Sequence, residues 1–130
     1  EFAKFEASEL AKVLTSKARV QGNIKLIVAT HVVEKGGDPT LLRTAALMMQ
    51  KELENTALVA AFAYEGKPQL LLMYSDDLVA KGKNASKDIR PAAKFILGGG
   101  GGQPTLATAG GKECEGLKEA LECLIATATA

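Results

Sequence analysis

The residues of this chain with the clearest chemical use are glycines. Five stand in a row from Gly98 to Gly102, followed by Gln103 and Pro104, and a Gly110-Gly111-Lys112 step comes shortly after. Glycine inside a helix or strand costs roughly 0.5–1 kcal/mol relative to alanine, so the run predicts a loop and not regular structure. Such a loop presents backbone N–H groups that no side chain covers, and a phosphate or a sugar can approach it closely. A flexible linker is the alternative, although linkers of this kind usually carry serine.

Basic side chains surround the glycines. From Lys81 to Lys112 the only acidic residue is Asp88, and the same stretch holds six basic residues: Lys81, Lys83, Lys87, Arg90, Lys94 and Lys112. The whole chain is nearly balanced, with 16 basic and 15 acidic residues and a formal net charge of +1. This balance argues against coating of nucleic acid by bulk charge, and it leaves a local basic patch as the form that an anion-binding surface would take.

Two known phosphate-binding fingerprints do not fit the glycines. The P-loop pattern needs an earlier glycine and a following Ser or Thr around its Gly-Lys pair, and here Leu106 and Glu113 occupy those two positions. The dinucleotide pattern G-x-G-x-x-G, counted from Gly98, fails at Gln103. The run also follows a predicted helix, whereas both fingerprints follow a strand.

Catalytic and metal-binding clusters are missing from the sequence as well. His31 is the single histidine, and Cys114 and Cys123 fit no metal or redox spacing, so two free thiols in a reducing cytosol are expected. The Asp76-Asp77 pair falls where a strand leads into a helix, and capping is its expected role. We therefore expect no catalytic residue and no metal site in this chain. With no apolar run of membrane-spanning length and no signal peptide, a cytoplasmic protein is expected.

The hydrophobic patterns predict an α/β domain, in which a small mixed β-sheet of three or four strands is covered by helices. An N-terminal amphipathic helix precedes this domain, and the glycine-rich loop lies between the last two helices. Residues 1–22 would continue a helical region from upstream, and residues 23–130 would form the globular domain. The predicted elements are, in chain order, a helix from Phe2 to about Arg19, a strand over Ile24–Val33, a helix from Pro39 to about Leu53, a hairpin of Thr56–Tyr64 and Gln69–Tyr74, a short helix near Asp77–Lys81, a helix from Ser86 to Leu97 and a last helix from Cys114 to about Ala126.

The glycine stretch resembles a known family. Gly100-Gly101-Gly102-Gln103-Pro104, with the Thr105–Gly111 segment after it, closely resembles the glycine-rich signature of the C-terminal, DHH-associated domain of alanyl-tRNA synthetases. The specific match covers about Ala85 to Leu121. Four positions depart from the family pattern. Gln103 replaces a basic residue, Leu97 and Gly99 replace a glycine and often a lysine, and Ser86 replaces a glycine.

The resemblance implies a non-catalytic, tRNA-binding domain of an alanine–tRNA ligase. In that family the domain is thought to contact the outer corner of the tRNA and to help link aminoacylation with editing, and in some members it contributes to a homodimer. The implied partners are alanine-specific tRNA and the remaining domains of the parent synthetase, with no membrane. ATP, magnesium and zinc are expected only in those other domains.

The resemblance also implies which residues meet RNA. Bare backbone for close approach would come from Gly98, Gly99, Gly100, Gly101, Gly102, Gln103, Gly110 and Gly111, and positive charge from Lys112, Lys94, Arg90 and Lys87. For each lysine taken alone, a solvated surface role is as much expected. On this interpretation Gly100→Val would disturb RNA binding while leaving the fold intact.

Two other functions remain open at this point. The first is the substrate-binding domain of a DHH-family phosphoesterase acting on short oligonucleotides. Such proteins usually carry a histidine after the glycines, where this chain has Gln103, and they need a metal-binding partner domain. The second is a dimerisation module without RNA binding, in which the glycines only let two helices pack or two protomers meet.

Overall fold

The computed structural model describes residues 12, 16, 18–21, 24–28, 39–64 and 67–129. Within these residues six strands form one sheet, and they are β1 (Arg19–Gln21), β2 (Ile24–Val28), β3 (Thr56–Tyr64), β4 (Lys67–Tyr74), β5 (Gly99–Gly102) and β6 (Leu106–Gly110). Their order across the sheet is β1-β2-β3-β4-β6-β5. The β2–β3 pair is parallel and the other pairs are antiparallel, so the predicted mixed sheet is confirmed.

Four described helices accompany the sheet, and they are α1 (Pro39–Glu52), α2 (Asp76–Ala80), α3 (Ala85–Lys94) and α4 (Leu117–Thr129), the last preceded by a short 3₁₀ turn over Cys114–Gly116. The predicted α/β class is confirmed. Helix α1 begins at the predicted Pro39, because proline at the first helical position has its φ preset and loses no hydrogen bond. None of the helices in the described part of the chain is long and apolar enough to cross a membrane.

Side chains on both faces of the sheet are buried under helices. Leu70, Leu72 and Tyr74 of β4 point to the face covered by α3 and α4, which we call the α3 face. Leu71 and Met73 point to the opposite face, covered in part by α1, which we call the α1 face. Successive residues of a strand alternate between faces, so β4 is apolar along most of its length because both of its faces are buried.

The end of the sheet away from the glycines is tied together by Asp77. Its carboxylate accepts hydrogen bonds from the Asn55 backbone amide at 2.8 and 3.0 Å and from the Ser75 hydroxyl at 2.6 Å. The Ser75 oxygen in turn accepts from the amide of Thr56 at 3.0 Å. The N-cap of α2 is Ser75 and not the Asp76-Asp77 pair, so the predicted capping role is wrong, and Asp77 instead joins the start of β3 to the start of α2.

Three sequence-based expectations about the elements were wrong. A helix was expected to reach about Arg19, yet Arg19–Gln21 pairs with β2 as an edge strand, a tertiary contact that propensity does not encode. The glycine run was expected to be a loop, and Gly99–Gly102 is strand β5. The sheet was expected to have three or four strands, and it has six among the described residues. Most of the expected N-terminal helix, the predicted strand beyond Val28, and His31 lie outside the described residues.

Candidate functional site

Strand β5 is a strand made only of glycine, and its two faces differ. It pairs antiparallel with β6, with Gly99 opposite Gly110 and Gly100 opposite Ala109. A Cβ atom placed on Gly100, on the α3 face, would lie 2.6 Å from the Cβ of Ala109 and 2.8 Å from the carbonyl oxygen of Thr108. A Cβ atom on Gly99 or Gly101, on the α1 face, would meet nothing within 4 Å. The α3 face therefore requires glycine for packing, and the α1 face is open backbone.

The glycines that flank the strand are also packed tightly. A Cβ atom on Gly98 would collide with the carbonyl oxygen of Gly110, and one on Gly111 would collide with the carbonyl oxygen of Ile96. Both neighbours are backbone atoms, which cannot move aside as a flexible side chain can. A side chain at Gly100 would also collide with Ala109 and Thr108, so the expectation that Gly100→Val would leave the fold intact is wrong.

A cavity of about 520 Å³ opens on the α1 face beside these glycines. It is lined by Lys67, Gln69, Leu97, Gly98, Gly99, Gly110, Gly111 and Lys112. Four of the eight lining residues are glycines, so much of the wall is peptide backbone. The Gln69 side-chain amide lies across β6, with its Oε1 and Nε2 atoms 3.5 and 3.6 Å from the place that a Cβ of Gly110 would take. The Gln69 amide thus lies beside Gly110 in the cavity lining.

The end of helix α3 holds one rim of the cavity in place. The amide of Gly98 donates to the carbonyl of Ala93 at 3.0 Å, and the amide of Leu97 donates to the carbonyl of Lys94 at 3.2 Å. This pair of bonds is the Schellman arrangement, in which the residue after the helix adopts a left-handed conformation. Leu97 has a φ of 52°, and a left-handed backbone costs a non-glycine residue roughly 1–2 kcal/mol. Its side chain is 67% exposed.

The neighbouring part of the rim, at Gly111 and Lys112, is fixed on the same helix end. The carbonyl oxygen of Ile96 accepts hydrogen bonds from the amides of Lys112 at 2.8 Å and Glu113 at 3.0 Å. The amide of Gly111 donates to the carbonyl of Pro68 at 3.2 Å, which continues the pairing of β4 with β6. Lys112 therefore starts from a backbone with a defined position, even though its side chain is exposed.

The chemistry of the cavity is that of binding an anion or a polar ring. Its two charged side chains are both lysines, and none of the eight lining residues carries a carboxylate, hydroxyl, thiol or imidazole. Acid–base or nucleophilic catalysis usually relies on such groups, so the lining offers attraction and shape more than reaction chemistry. Among the residues that the structure describes, no three His, Cys, Asp or Glu side chains stand together as metal ligands would.

The pKa values of Tyr74 and Asp77 are shifted, and neither residue lines the cavity. Burial, helped by a 2.6 Å hydrogen bond to Asp88, raises the pKa of Tyr74 far above its usual range, so its hydroxyl stays a donor from β4 to α3. For Asp77 partial burial raises the pKa, but hydrogen bonds from Ser75, Asn55 and its own helix start outweigh this and lower it. The Tyr74 hydrogen bond joins β4 to α3, whereas the Asp77 hydrogen bonds lie at the end of the sheet away from the cavity.

The structure brings together only part of the predicted RNA-binding set. Gly98, Gly99, Gly110, Gly111 and Lys112 all line the cavity, whereas Gly100, Gly101, Gly102 and Gln103 do not. Lys87, Arg90 and Lys94 are exposed on the side of α3 opposite its buried Ala85, Ile89, Ala92 and Ala93. Because α3 covers the α3 face, these three cations lie on the other side of the sheet from the cavity. We call them the α3 cations.

Three lining residues were missed by the sequence analysis, and they are Lys67, Gln69 and Leu97. Lys67 and Gln69 belong to β4, whose register with β6 places Gln69 opposite Gly110. That pairing joins residues far apart in the chain, so spacing alone could not reveal it. A partial signal was present, because Lys67 and Gln69 are the polar residues at the start of an otherwise apolar strand.

Comparisons with known proteins define the class of this domain. The model of the DHHA1 domain family matches residues 23–130, and the chain belongs to that family. Alanine--tRNA ligase of Cytophaga hutchinsonii is 40% identical over 122 residues, which cover 93% of this chain and 14% of that protein. The chain thus spans about one seventh of this relative, and the resemblance stated from the glycine signature is confirmed.

Solved structures agree with this assignment. The C-Ala domain of Aquifex aeolicus alanyl-tRNA synthetase superposes with a TM-score of 0.69 at 27% identity, covering 88% of this chain and 99% of that one. A pGpG-specific phosphodiesterase from Vibrio cholerae has a TM-score of 0.54 at 14% identity, covering 97% of this chain and 40% of that one. At that identity the second likeness shows the fold alone, so the phosphoesterase alternative is the weaker one.

Proposed function

We propose that this chain is the tRNA-binding C-terminal domain of an alanine–tRNA ligase, and that the glycine-lined cavity on the α1 face meets the RNA. The observation that carries the proposal is the composition of the cavity wall, which combines four glycines with Lys67 and Lys112 and has no carboxylate. Uncovered backbone allows close approach to RNA, and lysines supply attraction to phosphates without reading sequence. The domain would accordingly recognise the shape of the tRNA outer corner and leave identity to other domains.

The proposal includes the parent enzyme. Attachment of alanine to tRNA, and the ATP, magnesium and zinc that this work needs, would belong to other domains of a cytoplasmic synthetase. This chain would hold the tRNA while aminoacylation and editing proceed elsewhere. Its similarity to alanine--tRNA ligases and to a C-Ala domain supports this division of labour.

The test is a salt titration of tRNA binding by the 130-residue chain. The chain would be titrated with alanine-specific tRNA and with an unrelated tRNA between low and physiological salt. We expect both tRNAs to bind with similar affinity and both affinities to fall steeply with salt, since each phosphate contact releases counterions. Absence of binding at low salt by a folded chain would overturn the proposal.

Paired charge variants locate the binding surface. Lys67→Gln with Lys112→Gln should reduce the salt slope by about two units, one for each lost phosphate contact. Lys25→Gln with Lys51→Gln is the matched control, because both lysines are exposed and neither lines the cavity. Equal slopes for the two double variants would place the RNA elsewhere on the domain.

Dimerisation is the second candidate function, and one observation favours it. Strand β5 lies at the edge of the sheet and has no side chains that would block pairing with another strand. A homodimer through this edge would appear as a concentration-dependent mass in sedimentation experiments. A dimer whose formation leaves tRNA unbound would replace RNA binding as the function.

A further inference from the structure

Leu97 stands at a position that disfavours it in two ways. Its φ of 52° lies in the left-handed region that glycine occupies most easily. Its side chain is also 67% exposed, so burial of apolar surface offsets little of the backbone strain. A strained residue whose side chain contributes little to the core is a reason to look for a role in binding.

The surroundings of Leu97 indicate what it contacts. Leu97 is the only apolar side chain larger than glycine among the eight residues that line the cavity, and it stands next to the backbone of Gly98 and Gly99. Beside them, Gly110 and Gly111 provide further uncovered backbone, and Gln69 offers both a hydrogen-bond donor and an acceptor. Such a site has one surface of uncovered backbone, one apolar edge, one polar amide and two cations.

We propose that Leu97 is a nucleobase-contacting residue, whose side chain covers an unpaired RNA base lodged against the cavity glycines. Resting on the function proposed above, this assigns the cavity to one nucleotide and not only to the RNA backbone. A base presents a flat apolar face to Leu97 and a hydrogen-bonding edge to Gln69, while Lys67 and Lys112 attract the flanking phosphates. The base has to be unpaired, because proteins read RNA bases mainly where they are splayed out of the helix.

The experiment compares Leu97→Gly and Leu97→Asn with the unchanged chain. Glycine and asparagine both accept the left-handed backbone, so the midpoint of chemical denaturation should stay at or above that of the unchanged chain. Affinity for tRNA should fall a few-fold, less than for loss of an aromatic base-stacking side chain, because leucine offers apolar contact without an aromatic face. Leu47→Ala, which removes a partly exposed leucine from α1 outside the cavity, should leave tRNA affinity unchanged.

Two further readouts separate a base contact from a structural or charge effect. The Leu97 variants should keep the salt slope of the unchanged chain, because no phosphate contact is lost. They should also bind a blunt, fully paired RNA duplex as the unchanged chain does, because it offers no splayed base. If tRNA binds the unchanged chain and the variants equally, the inference is wrong while the proposed function stands. A lower denaturation midpoint would make Leu97 a packing residue, and no tRNA binding by the unchanged chain would overturn both proposals.

Discussion

The two faces of strand β5 carry the same residue type for different reasons. On the α3 face, Gly100 faces Ala109 at a separation too short for any added methyl group. On the α1 face, Gly99 and Gly101 have open space where a side chain would stand. A run of glycines that looks uniform in sequence therefore divides by alternation into residues that the core requires and residues that a ligand can use.

The largest effect should be a difference in stability between a methyl group added to the α3 face of β5 and one added to its α1 face. Gly100→Ala should lower the free energy of unfolding by about 1–3 kcal/mol, as overpacking does, because the new atom meets Ala109 and the Thr108 carbonyl. Gly101→Ala, one residue away on the open face, should leave that free energy unchanged or raise it slightly. Chemical denaturation of the two variants measures the difference, and equal free energies would remove the distinction between the faces.

The next effect compares the cations on the two sides of the sheet. The α3 cations Lys87, Arg90 and Lys94 were predicted to bind RNA. Because they lie on the other side of the sheet from the cavity, their contribution to RNA binding can be tested separately from that of the cavity lysines. If the cavity is the main RNA surface, their replacement by glutamine should reduce the salt slope less than replacement of Lys67 and Lys112 does, although three charges are lost instead of two. A larger reduction from the α3 cations would move the RNA to the α3 face.

A smaller effect concerns the end of the sheet away from the cavity. Asp77→Asn should lower the free energy of unfolding by about 1 kcal/mol, because its charged hydrogen bonds with Asn55 and Ser75 are weakened, and should leave tRNA affinity unchanged. The pKa of Asp77 is lowered in the folded chain, so its charged form stabilises the fold above the unfolded-state pKa. This contribution should disappear as the pH falls through the folded-state pKa. Denaturation across acidic pH checks this, because the variant should lack that part of the pH dependence.

The smallest expected effect is a change in tRNA affinity with no change in stability. Gly99→Ala adds a methyl group to the open backbone of the cavity wall, where nothing lies within 4 Å. We expect unchanged stability and a loss of tRNA affinity of a few-fold, since the ligand can approach less closely. Gly101→Ala is the control, because Gly101 shares the open face without lining the cavity. Equal affinities for these two variants would show that the ligand does not reach Gly99.

Local sequence patterns predicted the central strands of the sheet well and its edge strands poorly. The β3–β4 hairpin and helix α1 follow from short-range signals, namely apolar runs joined by a short glycine-containing turn and a proline at a helix start. Strands β1 and β5 depend on partners elsewhere in the chain, and neither has the apolar alternation that marks a strand. Glycine in particular contradicts its own propensity in β5, because pairing with β6 at close range decides its conformation.

The candidate site shows the same division. The glycines and Lys112 could be predicted from composition and family resemblance, because both signals lie within one short segment of the chain. Lys67 and Gln69 could not, since they reach the cavity only through the register of β4 with β6. The α3 cations were grouped with the glycines because they are near in sequence. A helix that lies across the sheet separates them, which spacing along the chain does not show.

The order of the strands also has a consequence for how the chain is made. Strand β5 precedes β6 in the sequence but lies outside it in the sheet, with β6 as its only strand neighbour among the described residues. During synthesis the four glycines therefore emerge before the strand that pairs with them, and they wait until Gly110 has left the ribosome. Until then the backbone N–H and C=O groups of β5 have no strand partner in the described part of the chain, so this edge of the sheet is completed only after β6 has been made.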